Sequence, residues 1–155
     1  MNFPETKDQV FEEGFLSMTV HGRKSNTYKF AFAKFLLEYC NQKTVEEHVE
    51  FSTISKYFLE FFWPQVCKTK LNHAPRYTKE GGIKKPEIIT IIEKQFSESW
   101  YPKNYADYEK QERNKIQNCI KEISEKCFND VVWRFQKINN DEPDVPLFFK
   151  YKVKQ

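Results

Sequence analysis

The chain has 155 residues, of which 30% are charged and 17% aromatic, and a net charge of +3. This composition excludes a disordered chain, which lacks aromatic residues, and its longest apolar runs fall far short of the roughly 20 residues that a membrane span needs. The length implies one domain, 1–155, burying roughly 70% of its unfolded surface without help from disulfides or metals.

In chain order, residues 4–16 are expected to form a short helix opened by Pro4, a residue suited to a first helical turn. Met18-Thr19-Val20 reads as extended and ends at Gly22. A strong helix start follows, where Ser25, Asn26 and Thr27 are all good N-caps. Tyr28, Phe32, Phe35, Leu36 and Tyr39 then recur at helical spacing, with Ala31, Ala33 and Leu37 filling the other faces. This helix is expected to be buried on most sides and central to the core. Asn41 to Glu50 reads as a loop. Ser52 or Thr53 should cap a second helix, with Ile54, Tyr57, Phe58, Phe61 and Phe62 on its apolar face. Pro64 predicts a kink or break near Trp63, because it removes a donor and clashes with the preceding turn. Val66 and Cys67 are expected to continue the helical path.

Residues 71–84 are the least regular stretch and read as a long loop, a feature that is often functional in compact domains. Pro86 and Glu87 open a third helix with Ile88, Ile89, Ile91, Ile92 and Phe96 on its apolar face. A long polar helix is expected from Ala106 to Phe128, with Tyr108, Ile116, Cys119, Ile120, Ile123 and Cys127 forming its apolar stripe. Val131–Phe135 reads as a strand and Asn139–Pro143 as a turn. Phe149, Tyr151 and Val153 then alternate with lysines, which is strand periodicity. The fold class is therefore mainly α, a compact multi-helix domain with a small C-terminal β-hairpin. The last strand needs a partner, either Val131–Phe135 or a segment beyond Gln155.

Charge is unevenly spread. Residues 1–17 hold Glu5, Asp8, Glu12 and Glu13 against Lys7. Positions 68–85 hold Lys68, Lys70, Arg76, Lys79, Lys84 and Lys85 against Glu80. A second basic cluster, Arg23, Lys24 and Lys29 with Asn26 among them, flanks the first strong helix start. Free backbone N–H groups and the helix dipole favour a phosphate there. Cations on a helix start and a flexible loop suit the DNA backbone. Asn26 either caps the helix or reads a base edge.

No complete catalytic constellation is present. The four glycines form neither a P-loop nor a dinucleotide fingerprint. His21, His48 and His73 do not pair at metal-ligand spacing. Cys119 and Cys127 lie two helical turns apart, about 12 Å, too far to share one metal, and read as core. Cys67 with His73, and Glu38 between Leu37 and Tyr39, are weak catalytic candidates beside their structural readings. The four cysteines form no CxxC pair and the N-terminus has no apolar run of signal-peptide type, so a reduced, cytoplasmic protein is expected. No metal site and no cofactor are expected within the chain.

Asn26-Thr27-Tyr28-Lys29-Phe30-Ala31, followed by Phe35-Leu36-Leu37, resembles the amino-terminal region of a group of bacterial His-Asn-His (HNH) endonucleases of restriction or phage-defence type. Tyr57–Trp63 with Gln65-Val66-Cys67, Lys85–Ile89, Val131–Phe135 and Phe148–Tyr151 continue the resemblance in order. Pro64 departs from the continuous Trp-containing helix of that pattern. The nuclease motif, with its histidines and paired cysteines, is not in this chain. The resemblance therefore implies the N-terminal, non-catalytic, DNA-engaging part of a longer enzyme, with double-stranded DNA as partner and a divalent metal in a downstream nuclease domain. Arg23, Lys24, Asn26, Lys29, Lys70, Arg76, Lys84 and Lys85 are the candidate nucleic-acid contacts. The alternative is a helical protein-interaction module that forms a homo-oligomer or docks a nuclease domain without binding nucleic acid; a stand-alone enzyme has no constellation behind it.

Overall fold

A computed structural model of the protein describes residues 12–13, 15–16, 27–42, 48–71, 76–77, 80–96 and 104–128. The described part is mainly helical. Five helices have described bounds: α1 (Tyr28–Cys40), α2 (Phe51–Cys67), α3 (Glu87–Phe96), α4 (Tyr105–Gln111) and α5 (Arg113–Lys126). Glu12, Glu13, Phe15 and Leu16, within the expected first helix, are helical too. The extended segment expected at Met18–Val20 and the C-terminal strands and hairpin lie outside the described residues.

The aromatic-rich helices condense as their spacing requires, but the centre of the core is α2 and not α1. α2 contacts each of the other four helices, whereas α1 packs chiefly against α2. Phe58, Leu59 and Trp63 on α2 are fully buried. Each such aromatic removes about 150–250 Å² from water, worth roughly 4–6 kcal/mol as an upper figure. Around them the rings meet edge to face: Phe58 on Phe128 at 5.0 Å, Tyr28 on Phe62 at 5.5 Å and Phe96 on Tyr108 at 5.0 Å between centroids. Ser55, the one buried Ser, Thr, Asn, Gln or charged residue among those described, donates its hydroxyl to the Phe51 carbonyl at 2.6 Å. On α1 the inner face, Phe32, Phe35 and Tyr39 with Ala31 and Ala33, is buried, but Leu37 is 56% exposed and Phe30 44%. One packing partner covers one face, so Leu37 does not join the core.

Local signals fix the helix ends less well than the helices. Thr27 holds the N-cap position of α1 without a side-chain bond; Ser25 and Asn26 lie outside the described residues. α2 starts at Phe51, with Glu50 in the cap position, so neither Ser52 nor Thr53 caps it. Phe51 stacks on Phe128 at 5.5 Å, and that packing draws the helix start ahead of the polar cap residues. Pro64 does not break α2, which runs on to Cys67. It sits in the last turn, where little helix remains to be lost, and the Gln65 amide donates to the neighbouring Phe61 carbonyl at 2.9 Å. The helix ends when Lys70 takes a left-handed φ of 47° and the Leu71 N–H returns to the Gln65 carbonyl at 2.9 Å.

The stretch expected as an irregular loop contains a two-residue antiparallel ladder, β1 (Arg76–Tyr77) with β2 (Ile83–Lys84). Gly81, at φ 81°, supplies the left-handed residue of the turn between them. The long helix expected over Ala106–Phe128 is divided at Glu112, whose φ of −122° and ψ of 42° lie outside the helical region. Its N–H still donates to Tyr108 O and its carbonyl accepts from Ile116 N. No proline or glycine marks this break; packing sets it. Tyr105 and Tyr108 on α4 close against Trp63, while the stripe of α5 seals the bundle over α2 and α3. Asn104 caps α4 by accepting from the Asp107 N–H at 2.8 Å.

Candidate nucleic-acid interface

The basic loop is anchored at both ends by secondary structure. It leaves α2 at the left-handed Lys70, pairs Arg76 with Lys84 and Tyr77 with Ile83, and enters α3 two residues after Lys85. The register places the backbone of Arg76 opposite that of Lys84.

Around this ladder the described cations differ in how free they are. Lys70 is exposed. Lys85 is exposed but its ammonium donates to both oxygens of Glu93, each at 2.8 Å. Lys68, outside the expected set, lies 5.8 Å above the Trp63 ring, a cation–π contact that ties the loop's first cation to the core. Lys29, on the first turn of α1, is half-buried, and burial pulls its ammonium below the usual lysine value. Arg23, Lys24 and Asn26 lie outside the described residues.

The starts of α1 and α3 meet. The Ile88 N–H, in the first turn of α3, donates to the Tyr28 hydroxyl at 3.1 Å. First-turn N–H groups have no partner within their own helix, and here another helix provides one. Tyr28 is held by its ring against Phe58 at 6.2 Å and Phe62 at 5.5 Å. Helical periodicity reads Tyr28 as core, which is half of its role; the hydroxyl contact spans 60 residues of sequence and has no local signal. Glu93 was equally unreadable as the partner of Lys85, because the pair straddles a helix start.

The weaker catalytic candidates take structural roles where they are described. Cys67, Cys119 and Cys127 are buried and are not in disulfides. Burial pushes the thiols of Cys119 and Cys127 up to about 12, the wrong direction for a nucleophile at neutral pH. Glu38 is exposed and paired with Lys34 one turn away. Among the described residues no three His, Cys, Asp or Glu side chains stand where they would hold a metal ion, and no helix is long and apolar enough to cross a membrane.

On another side of the molecule, a cleft of about 350 Å³ opens between helical Glu12, Phe15 and Leu16 and the C-terminal half of α1, lined mainly by Phe15, Leu16, Leu36, Leu37 and Cys40. Leu16 is 59% exposed at its edge. Comparison of the chain with protein-family models, with curated proteins and with solved structures gives no match.

Proposed function

We propose that the chain is a DNA-recognition or DNA-positioning domain of a bacterial endonuclease of the His-Asn-His class, acting in the cytoplasm in restriction or phage defence. The feature that supports this most is the run of cations between α2 and α3, Lys68, Lys70, Arg76, Lys79, Lys84 and Lys85 against Glu80 alone, of which Lys70 and Lys85 are exposed. A closely charged polyanion is the ligand that such a run suits. Duplex DNA, with one negative charge per roughly 1.7 Å, is such a ligand. Lys70, Arg76, Lys84 and Lys85 then contact phosphates from the loop, and Arg23, Lys24 and Lys29 from the start of α1, with Asn26 capping the helix or meeting a base edge. The metal-dependent cutting chemistry belongs to a downstream domain, and a C-terminal β-hairpin of Val131–Phe135 with Phe149–Val153 completes the domain.

The test is an anisotropy titration of a labelled duplex at rising salt, with wild-type protein and Arg76→Glu. With about seven phosphates neutralised, log affinity should fall against log salt with a slope of about −6. Arg76→Glu replaces a phosphate-binding cation by an anion, so it should weaken DNA binding at least about tenfold. A wild-type chain that binds no duplex at low salt, or binds with no salt dependence, sinks the reading.

A second reading, a protein-interaction module, is favoured by the apolar cleft beside Leu16 and Leu37. Light scattering separates the two: a tight dimer without DNA affinity supports the module.

A further inference from the structure

The geometry points to the outward face of α5 as the element that enters the major groove of duplex DNA and meets base edges there. The inference deepens the DNA reading proposed above and rests on it for the class of ligand. Arg113, Gln117 and Lys121 follow one another at i, i+4 and i+8, and Asn114 and Asn118 form a second row beside them. Residues so spaced share one face of a helix. All five are exposed, while Ile116, Cys119, Ile120 and Ile123 on the opposite face are buried. The rows therefore face away from the bundle over about 12 Å, the length of roughly three to four base steps.

An ordinary solvated helix face mixes its charges. α1 pairs Lys34 with Glu38, and α2 carries exposed Lys56 and Glu60 one turn apart. The α5 rows hold no acid from Arg113 to Lys121. Glu112, before them, is met by Lys115 at 3.5 Å; Glu122, after them, is met by Lys126 at 2.8 Å and Lys94 at 3.3 Å. Among the described residues, no hydrogen bond or ion pair engages the five side chains themselves. Asn118 is a weak helix former in mid-helix and so contributes little to the fold. Asn and Gln can pair with adenine N6 and N7, and Arg or Lys can donate to guanine O6 and N7. The major groove displays those atoms and admits an α-helix. Arg113 and Lys121 draw the face to a polyanion, and the three amides add uncharged contacts that carry sequence. A protein partner is disfavoured, because the face has no aromatic or aliphatic anchor of the kind that such interfaces are built around.

The test presents the whole chain with a pool of randomised duplexes and selects the bound sequences through repeated rounds. A defined sequence should emerge. Asn114→Ala/Gln117→Ala should weaken binding to that duplex at least about fivefold. Binding to an unselected duplex should change by less than about twofold, and the salt slope should hold, because no charge is removed. The melting temperature should stay within about 2 °C, which separates a lost contact from a lost fold. Placing 7-deazapurines in the selected duplex removes N7 from the major groove and should weaken the wild-type protein as well. Enrichment of no sequence, equal losses on selected and unselected duplexes, or wild-type binding indifferent to 7-deazapurines each overturn the α5 inference and leave the DNA reading standing. A chain that binds no duplex at low salt overturns both.

Discussion

Two helices of similar aromatic character, α1 and α2, have very different places in the molecule. α2 has a buried residue at nearly every turn and touches all four other helices; α1 buries one face and leaves Phe30 and Leu37 in solvent. Each carries a cysteine near its end, but Cys67 on α2 is buried and Cys40 on α1 is exposed. The apolar content of a helix tells that it packs. The number of its neighbours, which periodicity does not encode, tells how much of that content is covered.

Substitutions can break or sharpen that contrast. The largest effect is expected from Phe58→Ala at the centre of α2, which removes the one ring packed against Tyr28, Phe32, Phe62 and Phe128. Urea unfolding should show a loss of about 3–5 kcal/mol; a loss below 1 kcal/mol would remove α2 from the centre. Next comes alkaline pH. The folded thiols of Cys119 and Cys127 are raised to about 12 from an ordinary 9.0, and the phenol of Tyr105 is raised as well, first by burial and then by Glu60 and Glu109. For groups raised in the folded state, stability is fully present below the unfolded value and is lost as pH climbs towards the folded one. Between pH 9 and 12 each thiol should cost about 1.4 kcal/mol per pH unit, read by circular dichroism, and replacing both by Ala should flatten the slope.

Pro64→Ala should then stabilise the protein by about 1 kcal/mol. It restores an N–H to the last turn of α2, a gain partly offset by the freer unfolded chain; a clear loss would mean that the ring itself is a packing element. Smallest is Leu37→Ser on the outer face of α1, expected within about 0.5 kcal/mol of wild type. The matching chemical readout is thiol modification: in the native protein Cys40 should react with a disulfide reagent at once, while Cys67, Cys119 and Cys127 wait for unfolding.

The helices themselves were legible in the sequence. Ile88, Ile89, Ile91, Ile92 and Phe96 lie buried on α3 as their spacing predicts, and the stripe from Tyr108 to Cys127 is buried throughout. Their limits were not. Glu112 interrupts a continuous polar pattern between α4, whose tyrosines pack on Trp63, and α5, which packs on α2 and α3, and Phe51 begins α2 ahead of its polar cap residues because the ring of Phe128, 77 positions away, stacks on it. At the candidate interface, the basic residues could be counted, but the opposition of Arg76 to Lys84 needs a register and the Tyr28 link needs a fold.

The Lys85–Glu93 pair has a consequence for how any anion is met. The bidentate contact means that the protein arrives with one of its charges already compensated by its own carboxylate. A phosphate that takes Lys85 must evict Glu93, so the event is an exchange of anions and not a simple capture. Because such a surface pair is worth only about 0–1 kcal/mol, the eviction is cheap, but the liberated carboxylate then faces the incoming polyanion. Glu93 would act as a built-in competitor, one that holds back weakly charged ligands and yields to densely charged ones.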